Sequence, residues 1–225
     1  MKIVIFGATG GLGQWTWKAA VAAGHEVVAF VRSPHKLDDT DPGYPKLQVV
    51  KGDVMDPAAV KGASQGCQVC INCTSPAGGN TTLELAQSIV TNAMAGGVER
   101  FYMVGGLGAL WVPGTNRGVL LQDWDDPAQM AQWGMSSPMP RETIQNMTKG
   151  HLASMAFMQS TGVDHAFMCP GYMVNAAAGS GRVVTLDELG GKSFMKINMG
   201  DVAQVIVDDL EHGKLLGHRV CISAS

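Results

Sequence analysis

The chain has 225 residues, 46% of them hydrophobic and 16% charged, with a formal net charge of −3 and an isoelectric point near 6.0. That length lies within the ~100–250 residues of one domain and the composition is that of a chain with a sizeable core, which excludes disorder. No cluster of Lys and Arg is present to meet duplex nucleic acid or an anionic membrane, and no apolar run reaches the ~18–20 residues of a membrane span.

In chain order, Lys2–Phe6 is a nearly continuous apolar run, the pattern of a strand buried on both faces, and Gly7-Ala8-Thr9-Gly10-Gly11-Leu12-Gly13 follows at once. Residues 12–23 are mostly helix formers, closed by Gly24 where a helix C-terminus favours glycine, and Glu26–Val31 reads as a second buried strand. The alternation continues with strands over 47–50, 67–73, 100–104, 164–169 and 218–222. Helices are expected over 57–61, 81–95, 141–160 and 201–210. Strands alternating with helices predict an α/β class, a doubly wound parallel sheet (Rossmann type) in a single domain over residues 1–225. Residues 111–145 break the rhythm with Trp111, Trp124, Trp133 and the cluster Asp123-Trp124-Asp125-Asp126. This stretch leaves the carboxyl end of the fifth strand, where open parallel sheets bind ligands, and reads as a lid-like insertion. A surface excursion that packs its tryptophans on the domain is the alternative.

A phosphate beside a helix start needs backbone N–H groups aimed at it and no Cβ in between, and Gly7, Gly10 and Gly13 meet that need at three-residue spacing. The strand before them and the helix and strand after them give the context of a dinucleotide site; tight helix–strand packing alone is the competing reading. An NAD-binding chain carries an acidic residue for the ribose 2′-hydroxyl at the end of the second strand. Here that place holds Arg32, with His35 and Lys36 nearby, which suits a 2′-phosphate and predicts NADPH as the cofactor, a solvated surface arginine being the alternative.

Together with Val31-Arg32, Gly52-Asp53-Val54, Thr161-Gly162-Val163-Asp164 and Cys169-Pro170-Gly171, the glycine loop resembles the atypical short-chain dehydrogenases of the NmrA-like type. Within them it is similar to the biliverdin-IXβ and NADPH flavin reductases. The resemblance covers residues 1 to about 110 and about 147 to the end. It implies that Thr9, Gly11 and Leu12 complete the cradle, that Asp53 and Val54 flank the adenine, and that Cys73, Thr74, Ser75 and Pro76 line the ribose and nicotinamide side. Pro170, Gly171, Tyr172 and Met173 would close over the nicotinamide. For Asp53 a plain turn role competes.

Ordinary short-chain dehydrogenases pair a serine after the fifth strand with Tyr-x-x-x-Lys on the next helix. Four residues beyond Tyr44, Tyr102 and Tyr172 stand Gln48, Gly106 and Ala176, so this sequence has no such pair. Aligned on Thr161-Gly162, the tyrosine position becomes Met147, the lysine position His151 and the serine position Gly106. A positioned general acid contributes ~10²–10⁴-fold, so simple ketone chemistry is disfavoured. A flavin, quinone, enone or tetrapyrrole spreads incoming charge over its π-system and can take a proton later. The expected activity is NADPH-dependent hydride transfer to such a planar small molecule, with His151 and Tyr172 as catalytic candidates. His151 is expected first to hold the cofactor's ribose or nicotinamide amide and secondarily to donate a proton, a structural histidine being the alternative. Gly105, Gly106 and Gly108 would leave an open wall, and Gly106, Trp111, Trp124, Trp133 and Met147 would face the substrate. An NmrA-type NADP(H) sensor and a non-redox isomerase or cyclase are the alternatives. The resemblance also supplies a histidine at the position of His151.

Cys67-Gln68-Val69-Cys70-Ile71-Asn72-Cys73 has the spacing of an iron–sulfur run, but on a strand Cys67 and Cys70 would point to opposite faces, so buried thiols are expected and no metal. Without a cleavage-site pattern at the N-terminus, the protein is expected to be cytoplasmic with reduced cysteines. Its expected partner is a small-molecule substrate, with no nucleic acid or membrane, and the chain is read as a monomer or homodimer.

Overall fold

The computed structural model describes residues 1–76, 79–124, 126–132, 140–190 and 196–224, and of residues 127, 141, 144 and 147 the backbone alone. Seven strands run parallel: β1 (Lys2–Phe6), β2 (Glu26–Val31), β3 (Leu47–Lys51), β4 (Val69–Asn72), β5 (Arg100–Val104), β6 (Asp164–Pro170) and β10 (Arg219–Ser223). An eighth, β8 (Val183–Leu186), closes one edge, giving the order β3-β2-β1-β4-β5-β6-β10-β8. A separate two-stranded ribbon pairs β7 (Tyr172–Val174) with β9 (Lys196–Asn198). The helices are α1 (Gly11–Ala22), α2 (Pro57–Ser64), α3 (Thr82–Ala95), α4 (Pro127–Gln132), α5 (Arg141–Thr161) and α6 (Met199–Asp209).

The period-2 alternation of the strands sorts the core into two layers. Ile3 and Ile5 point to the face covered by α1 and α6, while Val4 and Phe6 point to the face covered by α2, α3 and α5. The helix ends follow local chemistry. Asp56 caps α2 by accepting from the amides of Ala58 at 2.9 Å and Ala59 at 3.2 Å, with Pro57 at the first helical position. Thr81 and Glu84 form a capping box on α3, and α5 stops at Gly162, whose φ of 70° is left-handed. The result is the doubly wound Rossmann arrangement that the alternation predicts.

Two features depart from the expected elements. The sheet is not wholly parallel, because β8 runs antiparallel to β10, pairing Val220 with Leu186 and Ser223 with Val183. As an antiparallel edge strand with alternate residues exposed, β8 needs no helical crossover, and its run of only four residues carries little signal. The ribbon β7–β9 is also absent from the expected elements.

Asp201, buried at the start of α6, fixes the loop that follows β7 by accepting from the amides of Gly179 at 3.0 Å and Ser180 at 2.9 Å. Burial pushes its carboxyl up, but these hydrogen bonds and Arg182 outweigh that and hold it below the ordinary value. A depressed folded-state pKa gives stability that is present above the unfolded value near ~3.9 and lost as pH falls through the folded one. The unfolding free energies of wild type and Asp201→Asn should therefore differ by about 1–3 kcal/mol at pH 7 and converge towards pH 2. A gap that stays constant over that range would remove the charge from the explanation.

Candidate functional site

The strand order reverses between β1 and β4, and the chain leaving β1 is pressed against the chain leaving β4. Gly7 sits there with φ of +79°, and a Cβ on it would lie 2.7 Å from the Cys73 carbonyl oxygen. Gly10 donates its amide to the Gly7 carbonyl at 2.9 Å, and a Cβ on Gly13 would overlap that same oxygen. The α1 N-terminus therefore seats directly on the end of β1. Gly10 provides no side-chain cap, so the first-turn amides are open to an anion at the positive end of the helix dipole. Leu12 buries its side chain in the α1/α6 layer, and Gly11 abuts Met199.

From this turn a cleft of about 190 Å³ runs over the ends of β1, β2, β3 and β4. Gly7, Thr9 and Gly10 border it at one end and Arg32, Ser33 and Lys36 at the other, with Asp53, Val54, Cys73, Thr74 and Ser75 along its sides. The side chains of Arg32 and Lys36 are exposed and form no ion pair among the described residues. Asp53 accepts from the Met55 amide at 2.9 Å, so the competing turn role engages one of its oxygens. The Cys73 thiol is pushed up to about 12 by burial and is neutral at working pH. Asn80 and Leu85, brought in by α3, also border the cleft, and nothing in their local sequence marks them.

Across the neighbouring ends of β5 and β6 lies the place expected for the nicotinamide. The ring of His151 on α5 faces Gly106, where a Cβ would stand 3.1 Å from its Nδ1. That Nδ1 is buried with no hydrogen-bond partner, and burial lowers the imidazole pKa. Gly171 donates to the Ile222 carbonyl at 2.8 Å, Tyr172 is 65% exposed in β7, and Met173 packs on the α1/α6 layer. Pro76, Pro170, Gly171, Tyr172 and Met173 do not border the 190 Å³ cleft. Tyr102 is unavailable, since its buried hydroxyl donates to Asp209 at 2.8 Å.

Several expected substrate contacts need correction. Gly105 and Gly108 leave no open wall: the Phe167 ring fills the space beside Gly105 and the Thr148 side chain the space beside Gly108, so both are packing glycines. Trp111 borders a different cleft, where Arg219 stacks on its ring at 4.7 Å. The described part of the insertion is no free flap. Val112, Leu121 and Met130 are buried in the α2/α3/α5 layer, and Thr148 of α5 donates to Gln122 at 2.9 Å. Trp124 packs partly buried on that layer, its Nε1 also without a partner. Trp133 and the side chain of Met147 lie outside the described residues.

The opposite-face argument for the cysteines also fails in its reason. Since β4 begins only at Val69, Cys67 and Cys70 both enter the same core layer, where burial raises each thiol pKa. Among the described residues no three His, Cys, Asp or Glu side chains come together as a metal site, and no helix is long and apolar enough to cross a membrane.

Comparison with known proteins places this geometry. A family model described as NAD(P)H-binding matches residues 7–213. The uncharacterized protein YwnB of Bacillus subtilis is 24% identical over 99% of this chain and 98% of its own. A protein of Bacteroides thetaiotaomicron provisionally named an epimerase superposes with a TM-score of 0.76 at 26% identity, covering 98% of this chain and 95% of that one. The anaerobillin reductase ChuY of Escherichia coli O157:H7 shares the fold with a TM-score of 0.74 at 19% identity, covering 100% and 97%.

Proposed function

Because the chain belongs to the NAD(P)H-binding family, we propose that it is an NADPH-dependent reductase that delivers hydride to a planar conjugated small molecule. The observation that carries this reading is the pair of cations, Arg32 and Lys36, free of ion pairs among the described residues, at the far end of a cleft whose Gly7 and Gly13 have no room for a Cβ against the neighbouring backbone. The residues fit the group. The α1 amides would take the pyrophosphate, Arg32 and Lys36 the 2′-phosphate, and the Thr74 and Ser75 region the ribose. The bound dinucleotide would supply the hydride. His151 would bound the nicotinamide side beside Gly106 and shield it from water. Tyr172, exposed in β7, would bound the acceptor ring. The small-molecule acceptor, the cytoplasmic setting and a monomeric or homodimeric state belong to this proposal.

Burial disfavours the charged form of His151 and lowers its pKa, which weighs against an imidazolium proton donor. An acceptor that tolerates hydride first suits such a site. The test is incubation with NADPH and FMN, quinones or enones, followed at the nicotinamide absorbance. Turnover is expected with at least one of them, with a kcat flat between pH 7 and 9. Tight NADPH binding with no oxidation by any acceptor would instead favour the sensor reading, which the missing Tyr-x-x-x-Lys pair also suits. A rate falling tenfold per pH unit above the ordinary histidine value of ~6.5 would make His151 the proton donor.

A further inference from the structure

A second cleft, of about 290 Å³, shares no residue with the dinucleotide cleft. It lies between α5, the first half of β6, the start of β10 and the chain that follows β5 and β8. Asp187 organises its charge. That carboxylate accepts from the Arg219 amide, from His218 Nδ1 and from Arg117 Nη2, each at 3.0 Å. Arg117 and Asp187 both hold left-handed backbone, φ of 59° and 67°, a strained conformation for residues with a Cβ, and these two form the ion pair.

Arg219 is left over. Its guanidinium lies on the face of Trp111 and donates Nη1 to the Ala109 carbonyl at 2.7 Å, which fixes its plane while Nε and Nη2 have no protein partner among the described residues. Among the described residues no carboxylate lies within ion-pair distance of its guanidinium, although the Asp187 charge is near enough to act on it, and it is half-buried. Around it stand two imidazoles in a defined tautomer. His165 Nδ1 is 2.8 Å from the Val163 carbonyl and His218 Nδ1 meets the Asp187 carboxylate; both oxygens only accept, so each Nδ1 carries the proton. A half-buried guanidinium without a direct ion pair is costly, and a fixed fork with two free donors matches an oxyanion in two-point contact.

We propose that this cleft is a binding site for a small oxyanion, a carboxylate or phosphate group, held by Arg219 with His218 and His165 beside it. Titration of the full chain with sodium phosphate and, separately, sodium succinate, read by NMR of the histidine side chains, tests it and separates the two sources. Saturable shifts of His165 and His218 are expected with both anions, while His35, which adjoins Lys36 of the other cleft, reports separately on phosphate bound there. Arg219→Met should weaken binding at least about tenfold, the least that a lost charge-assisted hydrogen bond amounts to. Because that variant removes a core-facing stack, Gln159→Glu gives a second reading: it places a negative charge at the exposed rim of the cleft and should also weaken binding. The absence of saturable shifts with either anion, or unchanged affinity in Gln159→Glu, would overturn the site.

Discussion

Gly13→Ala is expected to lower the melting temperature by roughly 2–12 °C, corresponding to the ~1–3 kcal/mol of an overpacked contact in a chain of this size. The added methyl would overlap the Gly7 carbonyl oxygen and come within 2.9 Å of the Ala8 Cα, so α1 must lift off the end of β1. Backbone cannot rotate aside as a flexible side chain can. The same lift turns the first α1 amides away from the pyrophosphate, so NADPH should stabilise the variant less than the wild type. Gly24→Ala is the control. It has φ of +86° and open space around it, so only the ~1–2 kcal/mol of left-handed strain applies and the effect of NADPH should be unchanged. Thermal unfolding of the three proteins with and without NADPH measures both effects. Equal ligand-induced shifts in wild type and Gly13→Ala would show that the helix does not move.

That contrast also marks where sequence reasoning succeeds and where it stops. The β1 run, the three-residue glycine spacing and the place of Arg32 directly after β2 are local patterns, and local patterns survive folding. Gly105 and Gly108 are equally visible as glycines, yet their meaning depends on Phe167 and Thr148, about 60 and 40 residues away in the chain. A missing Cβ reads alike whether it makes room for a ligand or for a neighbour. Trp111 is misread for a similar reason: the chain after β5 doubles back to bridge Leu120 and Glu188, carrying the indole to Arg219. The second cleft has no sequence signature at all. Its polar groups come from Arg117, Asp187, His218 and Arg219, which the pairing of β10 with the antiparallel edge strand helps to bring together. Asn80 and Leu85 reach the dinucleotide cleft because α3 starts beside the switch between β1 and β4, a consequence of topology that periodicity does not carry.

Arg32→Ala is expected to lower the ratio of NADPH to NADH affinity by roughly 10- to 150-fold, the equivalent of one charge-assisted phosphate contact of ~1.5–3 kcal/mol. The side chain stands exposed at the rim, free of any ion pair among the described residues, so its removal costs little stability and disturbs no neighbour. NADH binding should stay within about twofold, because without a 2′-phosphate the cation has no counter-charge to meet. Lys36 shares the same end of the cleft, and the phosphate contact of a flexible ammonium is less directional than that of a planar guanidinium. Lys36→Ala should therefore produce a smaller loss, and the double variant should lose most of the discrimination. The measurement is direct titration of each dinucleotide by nicotinamide fluorescence, which needs no turnover. It separates cofactor choice from the identity of the acceptor: an unchanged ratio in Arg32→Ala would place the 2′-phosphate elsewhere while leaving the glycine cradle as the pyrophosphate site. High salt gives a second handle, since these exposed charges are screened within a Debye length of ~3 Å at 1 M. The NADPH preference should shrink with added salt in the wild type and not in the double variant.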